Sequence, residues 1–118
     1  MEASLLQRID LLTLTINLGG DQGNIRELLE LFLLRNSEAL TEMEKAAAND
    51  NIIAWLQLAH KMKGAANYIG AKRFTALCLE AEDIRSLPNQ QSDAVLYHMR
   101  KEMAHLRDVI AQHLGTFN

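Results

Sequence analysis

Apolar residues recur along this chain every three to four positions, and the recurrence breaks only where polar or conformationally special residues cluster. Such spacing gathers apolar side chains on one face of an α-helix. Leu5, Leu6, Ile9, Leu12 and Ile16 predict a short amphipathic helix over Ser4 to Asn17, ended by Leu18-Gly19-Gly20. Asp21 is placed to cap the next helix, whose stripe runs Ile25, Leu28, Leu29, Phe32, Ala39, Leu40, Met43 and Ala47. Arg26, Glu30, Glu38, Glu42 and Glu44 occupy much of its other side. Asn49-Asp50-Asn51 stops that helix and starts another, with Asp50 or Asn51 as the new cap.

On this third helix Ile52, Leu56, Ala59, Met62, Ala66 and Ile69 trace the inward face. Gly70 is suited to end it in a left-handed conformation, and Ala71 opens the next helix, along which Phe74, Leu77, Cys78, Ala81 and Ile84 recur. Ser86-Leu87-Pro88-Asn89 interrupts the pattern, because proline lacks the donor a continuing helix needs. A last helix starts near Ser92, buries Val95, Leu96, Met99, Met103, Leu106 and Ile110, and closes at Gly115. With no strand-like alternation and no repeat, the predicted fold is all-α: an antiparallel four-helix bundle with an additional short N-terminal helix. Residues 1–118 read as a single domain.

Composition narrows the function classes. A formal net charge of −3 leaves no positive excess to hold a phosphate backbone, which argues against nucleic acid as a partner. The apolar runs fall well short of the eighteen or so residues of a membrane span, and the first residues do not form a basic-then-apolar signal. A single cysteine, Cys78, has no partner for an internal disulfide and sits among Leu77, Leu79 and Ala81, so it reads as a buried thiol in a reducing compartment. The expected location is cytoplasmic, with tethering to the inner membrane through a parent protein left open. There is no glycine-rich phosphate loop and no Walker-type lysine, so the chain carries no ATP site of its own.

The chemistry concentrates in His60-Lys61-Met62-Lys63-Gly64-Ala65-Ala66-Asn67-Tyr68-Ile69-Gly70. On a helix His60, Lys63 and Gly64 share one side. His60 lies about 100° from Ala59, at the rim of the buried face or outside it. Alanine would be more stable than Gly64 by about 1 kcal/mol if helix formation were the only demand, so something must come close to the backbone beside His60.

That motif resembles the signature of histidine-containing phosphotransfer (HPt) domains, the phosphorelay modules of two-component signalling. Gly19-Gly20-Asp21 followed by Leu28-Leu29-Glu30-Leu31-Phe32 resembles the family's opening helix, and Phe74 to Asp83 the helix that packs beside the histidine. The resemblance implies that His60 accepts a phosphoryl group from a receiver-domain aspartyl phosphate and passes it to the aspartate of a response regulator. A histidine nitrogen attacks phosphorus and holds the group as a labile phosphoramidate. Lys63, one turn away, is then placed to stabilise the phosphoryl charge. The family holds a Glu or Gln twenty-two residues after the histidine to hydrogen-bond the imidazole, which is Glu82 here. From the residues alone Glu82 reads as a solvated helix-surface carboxylate, and an ordinary solvated charge is the lesser alternative at Lys63. Lys61 points about 100° off and suits partner docking, with Leu56, Gln57, Gly64, Ala65 and Asn67 around the site. The chain needs no metal or cofactor, since the Mg²⁺ of the reaction belongs to the family's receiver partner. The expected partners are receiver domains of a hybrid sensor kinase and of a response regulator, met by a monomer.

Three other readings compete. His98, Glu102 and His105 share a face of the last helix and could ligate a metal, although no fourth ligand is in view. His113 falls near a helix C-terminus, where the helix dipole favours a partly charged imidazole. A helical adaptor without chemistry would pack in the same way. In the dimerisation half of a histidine kinase an acidic residue and a later proline follow the histidine, whereas here Lys61 follows and the only proline is Pro88. The phosphotransfer domain of a chemotaxis-type kinase stays open beside the hybrid-kinase module.

Overall fold

The computed structural model describes Ile9 and residues 22–114. The helix expected over Ser4 to Asn17, the Asp21 cap, the Gly115 stop and the side chain of His113 lie outside the described residues. Four helices follow in order: α1 (Gln22–Ala48), α2 (Ile52–Ile69), α3 (Lys72–Glu82) and α4 (Gln90–Leu114). No strand occurs among the described residues. α2 packs on α1 and α3, and α4 closes the bundle against both α1 and α3. Consecutive helices are therefore neighbours, and the short connections run each one antiparallel to the last.

The junctions follow from local chemistry. Asp50 takes φ 53° and ends α1, with its own N–H donating to Ala47 O at 3.3 Å and that of Asn51 to Ala46 O at 2.8 Å. Asn51 then caps α2, its side-chain oxygen accepting from Ala54 N at 3.1 Å. The sequence offered either residue as the cap; the two divide the stop and the start. Gly70 adopts the left-handed φ of 77° foreseen for it, and Gly70 N to Asn67 O (3.2 Å) with Ala71 N to Ala66 O (2.9 Å) closes α2 in a Schellman arrangement. α4 begins at Gln90, two residues before the expected start. Asn89 caps it: Ser92 N donates to Asn89 Oδ1 at 2.7 Å while Asn89 N donates to Ser92 Oγ at 2.9 Å.

The core joins Leu29, Phe32, Leu40 and Met43 of α1 to Trp55, Ala59, Met62, Ala66 and Ile69 of α2, Phe74, Cys78 and Ala81 of α3, and Met99, Met103, Leu106 and Ile110 of α4. Ile9 is buried with them. Phe32 and Phe74 meet edge to face, 6.0 Å apart, across the bundle between α1 and α3. One assignment on α2 needs correction. Trp55, passed over in the expected stripe, is fully buried, while Ile52 and Leu56 only flank the core. Asn36 takes a stripe position on α1 and stays satisfied by donating its side-chain N–H to Phe32 O at 2.8 Å.

Candidate functional site

His60 stands on the outer face of α2 with 73% of its side chain exposed. The inward stripe explains this, because Ala59, Met62 and Ala66 use up the buried arc of the helix and leave the next position outside. The α2–α3 hairpin then brings the last residue of α3 alongside. Glu82 Oε2 lies 3.2 Å from His60 Nδ1, and Glu82 Oε1 lies 2.8 Å from Lys63 Nζ. The structure thus brings His60, Lys63 and Glu82 together, with one carboxylate between an imidazole and an ammonium.

The electrostatics order this trio. The ammonium of Lys63 bonded to Glu82 holds its carboxyl below the usual range; partial burial works the other way, and the contact with His60 adds to the lowering. An ionised carboxylate only accepts, so the ring nitrogen facing it must carry the hydrogen. Nδ1–H is therefore donated to Glu82, and in the neutral ring the lone pair sits on Nε2, away from the carboxylate. Lys63 differs from its expected placement in one respect: its ammonium is engaged by Glu82, with 27% of the side chain exposed.

Gly64 is exposed mid-helix, and a Cβ built there would meet no other atom within 4 Å. Nothing inside the molecule asks for glycine at this position. Gln57, Lys61, Ala65 and Asn67 are exposed around His60, and Leu56 is half-buried. Ala65 reaches the apolar groove between α1 and α2 that Leu28, Leu31, Phe32 and Tyr68 also line, whereas Asn67 borders a shallow depression toward Thr75 and Leu79 of α3. Sequence reasoning missed two large apolar side chains of this face, Ile53 (67% exposed) and Tyr68 (46% exposed). Ile53 lies seven residues before His60, nearly in line with it, and Tyr68 eight residues after it, about 80° round toward the groove with α1; their spacing away from the inward stripe was the available signal.

Other reactive or titratable side chains lie outside this trio. Cys78 is buried, and burial first, then the Glu82 charge, pushes its thiol up to about 12. On α4 the Glu102 side chain is 4% exposed and lies 3.7 Å from His105 Nδ1 and 3.9 Å from Arg73 Nη1. His98 instead meets the ring of Tyr97 at 5.4 Å. Among the described residues no three His, Cys, Asp or Glu side chains are grouped to hold a metal. No described helix is long and apolar enough to cross a membrane.

Comparison with known proteins gives a consistent family. No curated protein matches the chain in sequence. Among solved structures, histidine-containing phosphotransfer protein B (HptB) of Pseudomonas aeruginosa PAO1 superposes with a TM-score of 0.82 at 22% identity, covering 94% of this chain and 97% of that one. The HPT domain of an Hpt sensor hybrid histidine kinase from Shewanella gives 0.69 at 19% identity, covering 86% and 89%. At these identities the likeness is one of fold. The family model of the Hpt domain matches residues 27–112, most of the chain and all of α2 and α3. With that match the chain belongs to the Hpt domain family, the phosphotransfer intermediates of phosphorelays.

Proposed function

We propose that His60 is the phosphoryl carrier and that Nε2 is the nitrogen that carries. The observation that supports this most directly is an imidazole 73% exposed whose other nitrogen is occupied by an ionised carboxylate. In the forward step the Nε2 lone pair attacks the phosphorus of a receiver aspartyl phosphate, the P–O bond to the aspartate breaks, and the aspartate leaves as a carboxylate. The ring becomes a phosphorylated imidazolium whose Nδ1–H already faces Glu82, which offsets its positive charge. The step is reversible, because both the aspartyl and the histidyl phosphate transfer readily, and a second receiver aspartate takes the group onward.

Lys63 serves in both states. At rest it pairs with the ionised Glu82; when the phosphoryl group arrives, its flexible stem lets the ammonium share itself with the phosphoryl oxygens. Gly64 leaves room for the partner's active-site loops, and Ile53 and Tyr68 join Leu56, Gln57, Lys61, Ala65 and Asn67 in a low-relief docking face. The partners are the receiver domain of a hybrid sensor kinase and that of a response regulator, the carrier acting as a monomeric single domain on the cytoplasmic side.

The test is incubation with phosphorylated receiver domains, singly across a panel. The wild type takes up an acid-labile, base-stable label and a His60→Gln variant does not. Equal labelling of His60→Gln overturns the assignment.

A further inference from the structure

Glu82 has a task that demands accuracy and an address that does not supply it. It is the last residue of the eleven-residue helix α3, where backbone carbonyls have lost their partners one turn on and helix ends fray. A carboxylate that must meet one nitrogen of His60 and the ammonium of Lys63 needs its backbone held.

We propose that Trp55 and Arg85 are positioning residues that clamp the two peptide groups flanking Glu82, and through them aim its carboxylate at His60. The fully buried Trp55 donates its indole N–H to Ala81 O at 2.8 Å. That oxygen belongs to the peptide group leading into the Glu82 Cα, so the bond fixes the plane from which the Glu82 side chain departs. Ile84 N also donates to Ala81 O, at 3.2 Å, so this carbonyl is doubly held. The following peptide group is gripped from the other direction: Arg85 Nη1 donates to Glu82 O at 2.7 Å. Trp55 and His60 ride the same helix five residues apart, about 7.5 Å along its axis. The indole therefore ties the aim of Glu82 to the helix that carries the ring it must meet.

A phenylalanine would fill much of the same core volume with no polar group to satisfy. An indole there makes sense if its N–H has work to do, because a buried N–H without an acceptor is costly. The inference rests on the reading that Glu82 orients His60, but its readout needs no phosphoryl transfer.

The experiment combines NMR of the ¹⁵N-labelled imidazole with transfer kinetics. In wild type the long-range ¹H–¹⁵N pattern of His60 reports the Nδ1–H tautomer as dominant. Trp55→Phe and Arg85→Ala each move the balance toward the Nε2–H tautomer and slow phosphotransfer by about threefold, the scale of one lost hydrogen bond. In a Glu82→Ala background neither adds further slowing, since the residue they position is gone. An unchanged tautomer balance in both variants overturns the inference, as does slowing that simply multiplies with that of Glu82→Ala. Should Trp55→Phe fail to fold, the exposed Arg85 decides by the same two measurements. A negative result here leaves the labelling of His60 untouched, whereas a His60→Gln variant that still accepts label removes the reading beneath it.

Discussion

Replacing Gly64 by alanine separates what the fold wants from what the exchange wants. The residue lies in the middle of α2, is exposed, and the added methyl carbon would find nothing within 4 Å. No clash opposes the change, so the helix gains the full advantage of alanine over glycine, about 0.5–1 kcal/mol, through a smaller loss of backbone entropy on folding. For a domain of this size that is about 2–5 °C in Tm. The methyl group would nevertheless stand one turn from His60 on the side a visiting receiver must approach. Forcing an extra carbon into a close-packed contact costs roughly 1–3 kcal/mol, which is about five- to 160-fold in transfer rate.

The measurement is a pair: thermal unfolding of the free protein, and single-turnover transfer from a phosphorylated receiver. The expected result is a variant that melts higher and transfers more slowly. An unchanged rate would show that no partner atom enters the space above Gly64. A lower Tm would refute the helix argument itself.

Three further outcomes follow from the trio and its surroundings. On the proposal that the ammonium also serves the phosphoryl group, Lys63→Ala slows transfer without unfolding the bundle and the Lys63→Ala/Glu82→Ala pair is slower than Glu82→Ala alone; equal rates in transfer assays would confine Lys63 to its contact with Glu82. The Glu82 carboxyl is held below its ordinary value of 4.5 in the folded state, so its contribution to stability is present above that value and is lost as the pH falls through the lower folded one. Denaturant melts at stepped acid pH should therefore show a shallower loss for Glu82→Gln than for wild type, and parallel curves would refute the shift. With its thiol raised to about 12, Cys78 stays unreactive toward a disulfide reagent at pH 8 and labels only as the protein unfolds; rapid labelling of the native protein contradicts the burial.

Much of the architecture was legible because each helix carries its own instructions. The stripes of α1, α3 and α4 and the stop at Gly70 depend on neighbours three or four residues away, and these are visible in the sequence. The exposed setting of His60 was legible for the same reason, since Ala59 and Met62 already fix which arc of α2 is inward. The expectation faltered where a residue's part is decided across the bundle. Trp55 looks like an interruption among smaller apolar residues until α3 places Ala81 O within reach of its indole. Asn36 and Glu102 break their stripes as polar residues, yet both are buried, a setting that only their tertiary neighbours decide. Lys63 showed its proximity to His60 on one helix; its bond to Glu82 needed the hairpin.

The same division explains why so small a domain can dispense with elaborate activation. A neutral imidazole is already a competent nucleophile near neutral pH, so a carrier has little need to raise its reactivity. What remains is a choice between two ring nitrogens, only one of which can face a partner. That choice is made by charge: Glu82, paired with Lys63, is an anion, the anion accepts a hydrogen from Nδ1, and in the neutral ring the lone pair is left on Nε2. Each link is a tertiary contact between α2 and α3, which makes the packing of that hairpin part of the chemistry. Substitutions that shift α3 along α2 should alter transfer even where they touch none of the three side chains.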